Sequence, residues 1–310
     1  MILKPKKLKR GDLVGVVGPA SPMIRKRLEA GRRYLEKRGF RVKLAEHIQD
    51  AHGYLAGRDR DRASDFNQMV QDPEVAAIFC TRGGYGTPRI LPLIDYTALK
   101  QNPKIIVGYS DITALQLAIL AQAGLVSFSG PMVAVEMGKG MLPFTESHFW
   151  KLLTAAGERI SFVPQNSSLN IVKPGFTEGR LLGGCLSMLC SLLGTPYCPD
   201  FKDAILFLED VGEEPYKIDR YLTQLKLAGV LQQISGLVFG QFVDCVPQGP
   251  GASLTLQQVL EDTVSDLCVP VLSDLPYGHV DAKYTLPIGV QALLDAHQGL
   301  LQLTEDAVVS

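Results

Sequence analysis

The chain has 310 residues, of which 46% are hydrophobic and 20% charged, a composition typical of globular proteins that bury a sizeable core. Its formal net charge of -1 at pH 7 argues against nucleic acids and anionic membranes as partners, because both are bound by clusters of positive charge. The length favours two domains, and small neutral or zwitterionic molecules are the ligands that fit this charge balance.

The basic N-terminus is not followed by an apolar run of signal-peptide length, and no stretch of the sequence approaches the length of a membrane span. We therefore expect a cytoplasmic protein. The six cysteines form no Cys-x-x-Cys pair and have no histidine close by in the sequence, which argues against a zinc site or redox motif. Neither a metal nor a cofactor is expected.

The N-terminal part of the chain alternates between apolar strands and amphipathic helices. The predicted elements are a strand at 13–17, a helix at 23–38, a strand at 40–45, a helix at 60–70 and a strand at 75–80. This alternation is typical of a parallel sheet. The glycines at 15 and 18 are not a dinucleotide fingerprint, because the third glycine is missing.

A glycine-rich loop at 81–86 (TRGGYG) directly follows the third strand. Glycines at this point let the backbone approach a ligand closely and expose its N–H groups. A phosphate-binding loop would end in Gly-Lys-Ser/Thr, which is absent. The spacing alone is equally compatible with a tight turn from strand to helix.

The stretch 104–115 (KIIVGYSDITAL) predicts a buried strand, a sharp turn and a helix. Ser110 lies on the turn, and the N–H that follows it lies at the start of the helix. This is the pattern of a nucleophile elbow. The match to Gly-x-Ser-x-Gly is incomplete, because Ile112 occupies the position of the last glycine. A serine that only caps the helix is the alternative.

A strand at 125–128 and a helix at 144–154 complete a predicted first domain, residues 1–154. In 155–177, polar residues, prolines and a glycine interrupt the apolar spacing that a helix or a strand would show, so we predict a linker there. Residues 178–310 are predicted to form a second α/β domain. Its strands are expected at 204–208, 237–239 and 269–272, its helices at 218–228 and 254–267, and a final antiparallel pair of strands at 284–294 and 299–304.

The candidate chemical groups of the second domain follow predicted strands. Glu209 and Asp210 come after the strand at 204–208, where acidic residues are placed to line a cleft. Adjacent side chains of a strand point to opposite faces, so only one of the two can reach a given partner. Of the five histidines, His279 is on a loop just past a buried strand, with a glycine before it, and His52 is the runner-up. A surface histidine is the alternative.

A serine, a glutamate and a histidine in this order, with a glycine-rich loop before the serine, meet the requirements of acyl transfer. The motifs that carry this pattern also resemble those of the LD-carboxypeptidases, cytoplasmic serine peptidases of murein recycling. They are RGGYG at 82–86, GYSD at 108–111, FLEDVGE at 207–213 with Tyr216 and Asp219-Arg220, and GH at 278–279. The resemblance runs from Gly11 to about Gly289 and implies an α/β fold of two domains. The first has a parallel sheet of flavodoxin or Rossmann type, and the second has a mixed sheet.

The resemblance also implies roles for individual residues. Ser110 would be the nucleophile, His279 the general base and Glu209 the carboxylate that orients the imidazole. The implied oxyanion hole consists of the backbone N–H groups of Gly84 and Asp111, and the implied substrate contacts are Arg82, Gly83 and Tyr85. The family usually has asparagine where this chain has Cys185. No cofactor is implied, and the family is typically homodimeric.

The implied activity is hydrolysis of the bond between an L-centre and a terminal D-alanine in murein tetrapeptides, during peptidoglycan recycling. One alternative is hydrolysis of peptidyl-nucleotide antibiotics, as in the related microcin C immunity peptidases. The second domain lacks an aromatic-rich insertion for stacking a nucleobase, which favours the muropeptide. The other alternative is a non-catalytic module that closes on a ligand, and the co-occurrence of Ser110, Glu209 and His279 argues against it.

Overall fold

The polypeptide folds around two β-sheets, each formed mainly by one half of the chain. The computed structural model describes residues 2–163, 169–249 and 251–310, so residues 164–168 of the predicted linker lie outside the described residues. In the described part of the chain, every helix is too short or too polar to span a lipid bilayer.

The first sheet is parallel except for one edge strand. Its strands are β1 (Leu13–Val17), β2 (Arg41–Leu44), β3 (Val75–Cys80), β4 (Ile105–Gly108), β5 (Ser127–Ser129) and, from near the end of the chain, β11 (Leu286–Ile288). The strand order is β11-β5-β4-β3-β1-β2, with β11 antiparallel to β5. β1 and β4 are buried along their whole length, as expected for a parallel sheet that is covered on both faces.

Helices and short helical turns connect these strands. They are α1 (Arg25–Lys37), α2 (Asp59–Gln71), α3 (Thr87–Ile90), a 3₁₀ turn (Leu91–Leu93), α4 (Tyr96–Gln101), a 3₁₀ turn (Ser110–Ile112), α5 (Thr113–Ala123), a π-helical turn (Val133–Met137) and α6 (Pro143–Thr154). Helix α5 is apolar almost all round and therefore buried. Both α5 and the 3₁₀ turn that precedes it contact the second half of the chain.

The second sheet is mixed. Its strands are β6 (Asn170–Lys173), β7 (Phe176–Cys185), β8 (Ala204–Val211), β9 (Gly236–Val243), β10 (Val271–Ser273), β12 (Gln291–Asp295) and β13 (Leu300–Leu303). The order is β13-β12-β7-β8-β9-β10-β6, with a parallel centre from β7 to β10 and antiparallel strands at both edges. Helices α7 (Leu186–Cys190), α8 (Pro215–Leu227) and α9 (Leu256–Ser265) complete this half. The predicted fold class, two α/β units with one parallel-rich and one mixed sheet, is confirmed.

Two segments differ from the prediction. The predicted linker, 155–177, contains β6 and the start of β7. β6 is an exposed edge strand and the first residues of β7 are largely exposed, so neither stretch shows the apolar alternation that predicts strands. The predicted strand 284–294 is two strands, which belong to different sheets. Gly289 separates them with a φ of +100°, a left-handed conformation that allows the chain to leave the first sheet and join the second.

Candidate active site

Ser110 lies in a strained turn between β4 and α5. Its φ is +64°, in the left-handed region that side chains with a Cβ rarely adopt. The Ser110 side chain is partly exposed, whereas Asp111 and Ile112 are buried. A short strand, a strained serine and a helix that begins at Thr113 form the geometry of a nucleophile elbow.

Because Gly108 has no side chain, an isoleucine fits at position 112, where the elbow pattern has its last glycine. A Cβ built on Gly108 would lie 2.7 Å from Ile112 Cγ2, so the isoleucine occupies the space that a side chain at 108 would need. Ile112 is fully buried. The strand and the helix can therefore approach closely here with a single glycine.

The glycine-rich loop runs against the elbow. A Cβ on Gly83 would lie 2.9 Å from Ser110 Cβ and 3.3 Å from the Asp111 nitrogen, so glycine is needed at this position. Gly84 has a φ of +117°. The backbone N–H of Tyr85 donates a hydrogen bond to Ser21 Oγ at 3.0 Å. The loop is thereby held beside the serine with its backbone close to the elbow.

The carboxylate of Asp111 fastens the far end of this loop to the elbow. Asp111 Oδ2 accepts hydrogen bonds from the Thr87 backbone N–H, at 2.8 Å, and from the Thr87 hydroxyl. Burial raises the pKa of the Asp111 carboxyl, and the hydrogen bonds from Thr87 oppose that rise. The side chain of Asp111 thus fixes the loop, while its backbone N–H stays at the start of the helix.

Sequence reasoning missed Arg62, which holds the other side of the loop. Arg62 is 1% exposed, forms an ion pair with Asp59, and donates to the backbone carbonyls of Pro19 and Gly86. Its position on the predicted helix 60–70 gave no sign of this, because a charged residue on a helix normally faces solvent. The loop is therefore held by a buried guanidinium on one side and by Asp111 on the other.

Glu209 and His279 form a hydrogen-bonded pair at the end of β8. His279 Nδ1 lies 2.8 Å from Glu209 Oε2, and the two side chains are 18% and 0% exposed respectively. A Cβ on Gly278 would lie 2.7 Å from Glu209 Oε2, so the glycine before the histidine is needed for this approach. Burial raises the pKa of the Glu209 carboxyl, while the hydrogen bond with His279 lowers it. A carboxylate at Nδ1 leaves Nε2 as the ring nitrogen that is free to act on a substrate.

Asp210 points to the opposite face of β8. Its Oδ2 accepts the backbone N–H of Ser187 at 2.8 Å, and its Oδ1 accepts its neighbour Val211 N–H at 2.9 Å. The Cys185 thiol also donates to Oδ1 at 3.5 Å, and burial raises the pKa of this thiol well above its ordinary value, so it stays protonated. Asp210 therefore fastens the start of α7 and leaves His279 to Glu209.

The two halves of the chain meet at the rings of Tyr109 and His279. The ring centroids are 5.1 Å apart, with an edge-to-face angle of 63°. Tyr109 directly precedes Ser110, so the imidazole packs on the residue next to the serine. The runner-up, His52, is exposed in a turn with Leu55 and takes no part in this contact.

The predicted substrate contacts surround the loop. Tyr85 is 52% exposed and packs edge to face on Tyr54 at 5.3 Å. Arg82 is half-buried, and its guanidinium donates to the carbonyl of Pro22 at 3.4 Å. Across residues 2–163, 169–249 and 251–310, no three His, Cys, Asp or Glu side chains converge as ligands of a metal ion.

A serine on a strained elbow, a glycine loop against it and a buried carboxylate bound to an imidazole are the groups that a serine hydrolase requires. Models of the LD-carboxypeptidase N-terminal domain and the LD-carboxypeptidase C-terminal domain match residues 14–130 and 178–294. The chain belongs to the LD-carboxypeptidase family, and it is a serine-type carboxypeptidase.

Relatives cover almost the whole chain. The "Probable murein peptide carboxypeptidase" of Bacillus subtilis is 42% identical over 94% of this chain and 91% of its own. The crystal structure of muramoyltetrapeptide carboxypeptidase from Oxalobacter formigenes is 32% identical, with a TM-score of 0.82 over 94% of this chain and 97% of that one. The microcin C7 self immunity protein MccF in complex with aspartyl sulfamoyl adenosine is 27% identical, with a TM-score of 0.91 over 99% and 100%.

Proposed function

We propose that this protein removes the terminal D-alanine from murein tetrapeptides by hydrolysing the L,D-peptide bond, as a cytoplasmic enzyme of peptidoglycan recycling. The observation that carries this proposal is the buried Glu209–His279 pair beside the Ser110 elbow. Relatives named murein peptide carboxypeptidase and murein tetrapeptide carboxypeptidase support the choice of substrate.

In the proposed mechanism Ser110 Oγ attacks the scissile carbonyl while His279 Nε2 takes its proton. The developing oxyanion accepts hydrogen bonds from the backbone N–H groups of Gly84 and Asp111, each worth roughly 3 kcal/mol in the transition state. The imidazolium then gives its proton to the amine of the leaving D-alanine. Water attacks the acyl-enzyme by the same route and releases the tripeptide. Glu209 holds the imidazole and stabilises its charge throughout.

The substrate contacts in this proposal are Arg82, Gly83 and Tyr85. The guanidinium of Arg82 lies 3.7 Å from the position that a Cβ on Gly84 would occupy, beside the proposed oxyanion hole. A planar cation at this place suits the terminal carboxylate that distinguishes a carboxypeptidase substrate. Exposed Tyr85, packed edge to face on exposed Tyr54, offers an apolar surface to the rest of the peptide.

We further propose that the enzyme acts as a homodimer, as the resemblance to the family implies. The proposed domains are residues 1–154, which carry the serine, and 178–310, which carry the glutamate and the histidine, joined through 155–177. The active site then lies where the two domains meet.

A second candidate substrate is a peptidyl nucleotide. The TM-score of 0.91 to MccF in complex with aspartyl sulfamoyl adenosine favours it, since such a nucleotide analogue binds on a closely similar fold. The same serine chemistry would cleave it.

The deciding experiment is incubation of purified protein with a murein tetrapeptide and, separately, with aspartyl sulfamoyl adenosine. We expect release of free D-alanine from the tetrapeptide at a higher kcat/KM than cleavage of the nucleotide analogue. The reverse preference favours the immunity-type function, and no hydrolysis of either compound would show that neither is the substrate.

Ser110→Ala is expected to keep the fold and lose activity, by up to on the order of a million-fold, because the nucleophile is removed. Ser127→Ala is the matched control: its hydroxyl is buried in β5 without a hydrogen-bond partner among the described residues, so turnover should be unchanged. Thermal unfolding confirms that both variants are folded. Turnover at the wild-type level in Ser110→Ala rules out Ser110 as the nucleophile.

A further inference from the structure

A buried ion pair lies close to the proposed catalytic histidine. Lys283 Nζ is 2.7 Å from Glu136 Oε1, and the two side chains are 2% and 9% exposed. Glu136 belongs to the π-helical turn Val133–Met137 of the first half, and Lys283 follows His279 by four residues. Attraction within a buried pair often fails to offset the desolvation of both charges, so stability alone is a weak reason for its presence.

Tyr109 joins this ion pair to the imidazole. The tyrosine hydroxyl donates to Glu136 Oε1 at 2.7 Å, and Lys283 Nζ lies 3.9 Å from the centre of the tyrosine ring. The edge-to-face contact with His279 is made by the same ring. Burial, together with the neighbouring Glu136, raises the pKa of the Tyr109 hydroxyl well above its ordinary value, so the hydroxyl remains a donor.

The segment that carries His279 has further anchors on the first half. The Thr145 hydroxyl of α6 donates to the carbonyl of Asp281 at 2.8 Å and accepts the backbone N–H of Lys283 at 2.9 Å. Glu136 is itself fixed, because its Oε2 accepts the backbone N–H of Met132 at 2.9 Å. The segment is therefore bound to the first half by its backbone and by the side chain of Lys283.

We propose that Tyr109, Glu136 and Lys283 are positioning residues that set the imidazole of His279 against the Ser110 elbow. One oxygen, Glu136 Oε1, accepts hydrogen bonds from both Tyr109, the residue before Ser110, and Lys283, four residues after His279. Ser110 and His279 come from different halves of the chain, and both are linked to this one oxygen. The inference rests on the proposed roles of Ser110 and His279.

The mildest test is Tyr109→Phe, which removes the hydroxyl and keeps the ring against His279. The phenyl ring loses its tether to Glu136, so the imidazole and the elbow are no longer held in one position. We expect kcat on a murein tetrapeptide to fall about ten- to a hundredfold, the range that small misplacements of reacting groups produce, with KM within about twofold.

Tyr34→Phe is the matched control. Like the Tyr109 hydroxyl, the Tyr34 hydroxyl donates to a glutamate, Glu146 Oε1, at 2.6 Å. It also accepts a hydrogen bond from Trp150 Nε1 at 2.7 Å. The substitution therefore removes the same kind of hydrogen bond from the same half of the protein, away from His279. We expect a comparable drop in thermal midpoint for both variants and an unchanged kcat for Tyr34→Phe alone.

A fluorophosphonate measures the reactivity of Ser110 without a peptide. Ser110 Oγ forms a bond to phosphorus, the P–F bond breaks, fluoride leaves and the serine proton passes to His279. The rate of labelling should fall in Tyr109→Phe by about the same factor as kcat. If the tetrapeptide is not cleaved but Ser110 is labelled, the proposed substrate is wrong, and the labelling rates alone decide the positioning role.

The double variant Glu136→Gln with Lys283→Met removes both charges and leaves neither unpaired. The double variant removes the ion pair that joins Lys283, and with it the chain around His279, to residue 136 of the first half. We therefore expect a loss of kcat and of labelling rate at least as large as in Tyr109→Phe. Wild-type kcat and labelling rates in folded Tyr109→Phe and in the double variant would overturn the proposal. Failure to label Ser110 in the wild-type protein would overturn the proposed nucleophile, and the positioning role with it.

Discussion

Glu209 and Asp210 are adjacent carboxylates in opposite environments. Glu209 is fully buried, and its Oε1 has no hydrogen-bond partner within the described residues. Asp210 is also buried, but three donors surround it, the N–H groups of Ser187 and Val211 and the thiol of Cys185. Burial of the Glu209 carboxylate therefore costs stability, whereas Asp210 stabilises the start of α7.

This contrast predicts that Glu209→Gln and Asp210→Asn have opposite effects. Glu209→Gln should lower kcat/KM on the tetrapeptide several thousand-fold, by analogy with the serine-protease aspartate, yet leave the thermal midpoint equal or higher at neutral pH. Asp210→Asn should cost little activity and about 1–3 kcal/mol of stability, because the amide cannot accept from all these donors. Kinetics and thermal unfolding of both variants test the assignment. A larger loss of activity in Asp210→Asn contradicts it.

The pH dependence of stability provides a second measurement on the same pair. Burial raises the pKa of Glu209 in the folded protein above its ordinary value of 4.5. The folded state then binds the proton more tightly than the unfolded state, so the stability contributed by this group is present below pH 4.5 and is lost as pH rises through the folded pKa. Glu209→Gln does not lose stability in this way, because its amide does not ionise. Its thermal midpoint relative to wild type should therefore increase from pH 4.5 towards neutrality, and a constant difference would contradict this explanation.

Among the elements of the fold, the crossing of β4 and α5 depends on the pair Gly108 and Ile112. Adding a methyl group in Gly108→Ala would place it 2.7 Å from Ile112 Cγ2, so the elbow must shift. We expect a loss of kcat on the order of a hundredfold and of about 1–3 kcal/mol in stability. Ile112→Ala removes the two nearest atoms, Cγ2 at 2.7 Å and Cγ1 at 2.9 Å, and keeps only Cβ at 3.0 Å. The double variant should therefore regain part of the activity lost in Gly108→Ala.

A double-mutant cycle over these two residues measures the coupling. Ile112→Ala alone should cost about 2–5 kcal/mol of stability, because it leaves a cavity, and should affect kcat less than Gly108→Ala does. Additive effects of the two substitutions on kcat would show that residue 112 does not confine residue 108.

Elements with local signals were predicted from the sequence, and contacts between distant elements were not. The apolar run before Gly108, the serine after it and the glycine loop after β3 are encoded within a few residues. The alternation of side chains along a strand predicted that Glu209 and Asp210 point to opposite faces of β8, and their different partners, His279 and Ser187, agree with this. The pair Glu136 and Lys283 is 147 residues apart in sequence, so no spacing rule could have found it.

At the scale of the whole molecule, the two halves interlock. β11 follows the second half in sequence but pairs with β5 of the first sheet, and Gly130 gives Thr285 room to pack at this junction. On the other side, the Thr113 hydroxyl of α5 accepts the backbone N–H of Cys185 at 3.2 Å. Buried apolar side chains of both sheets belong to one contiguous cluster. Unfolding of either half therefore exposes surface of the other.

We therefore predict that both halves unfold together, which pulsed alkylation of cysteines in increasing urea can test. Cys80 is buried in the first sheet, Cys190 is buried in the second half, and exposed Cys268 reports the activity of the reagent at every urea concentration. Mass spectrometry of each cysteine peptide should give one common midpoint for Cys80 and Cys190. Ile288→Ala sharpens the test, because Ile288 is fully buried in β11 and its truncation should cost about 2–5 kcal/mol. In an interlocked molecule this change in the first sheet lowers the midpoint of Cys190 as much as that of Cys80, and a shift confined to Cys80 would show that the halves unfold independently.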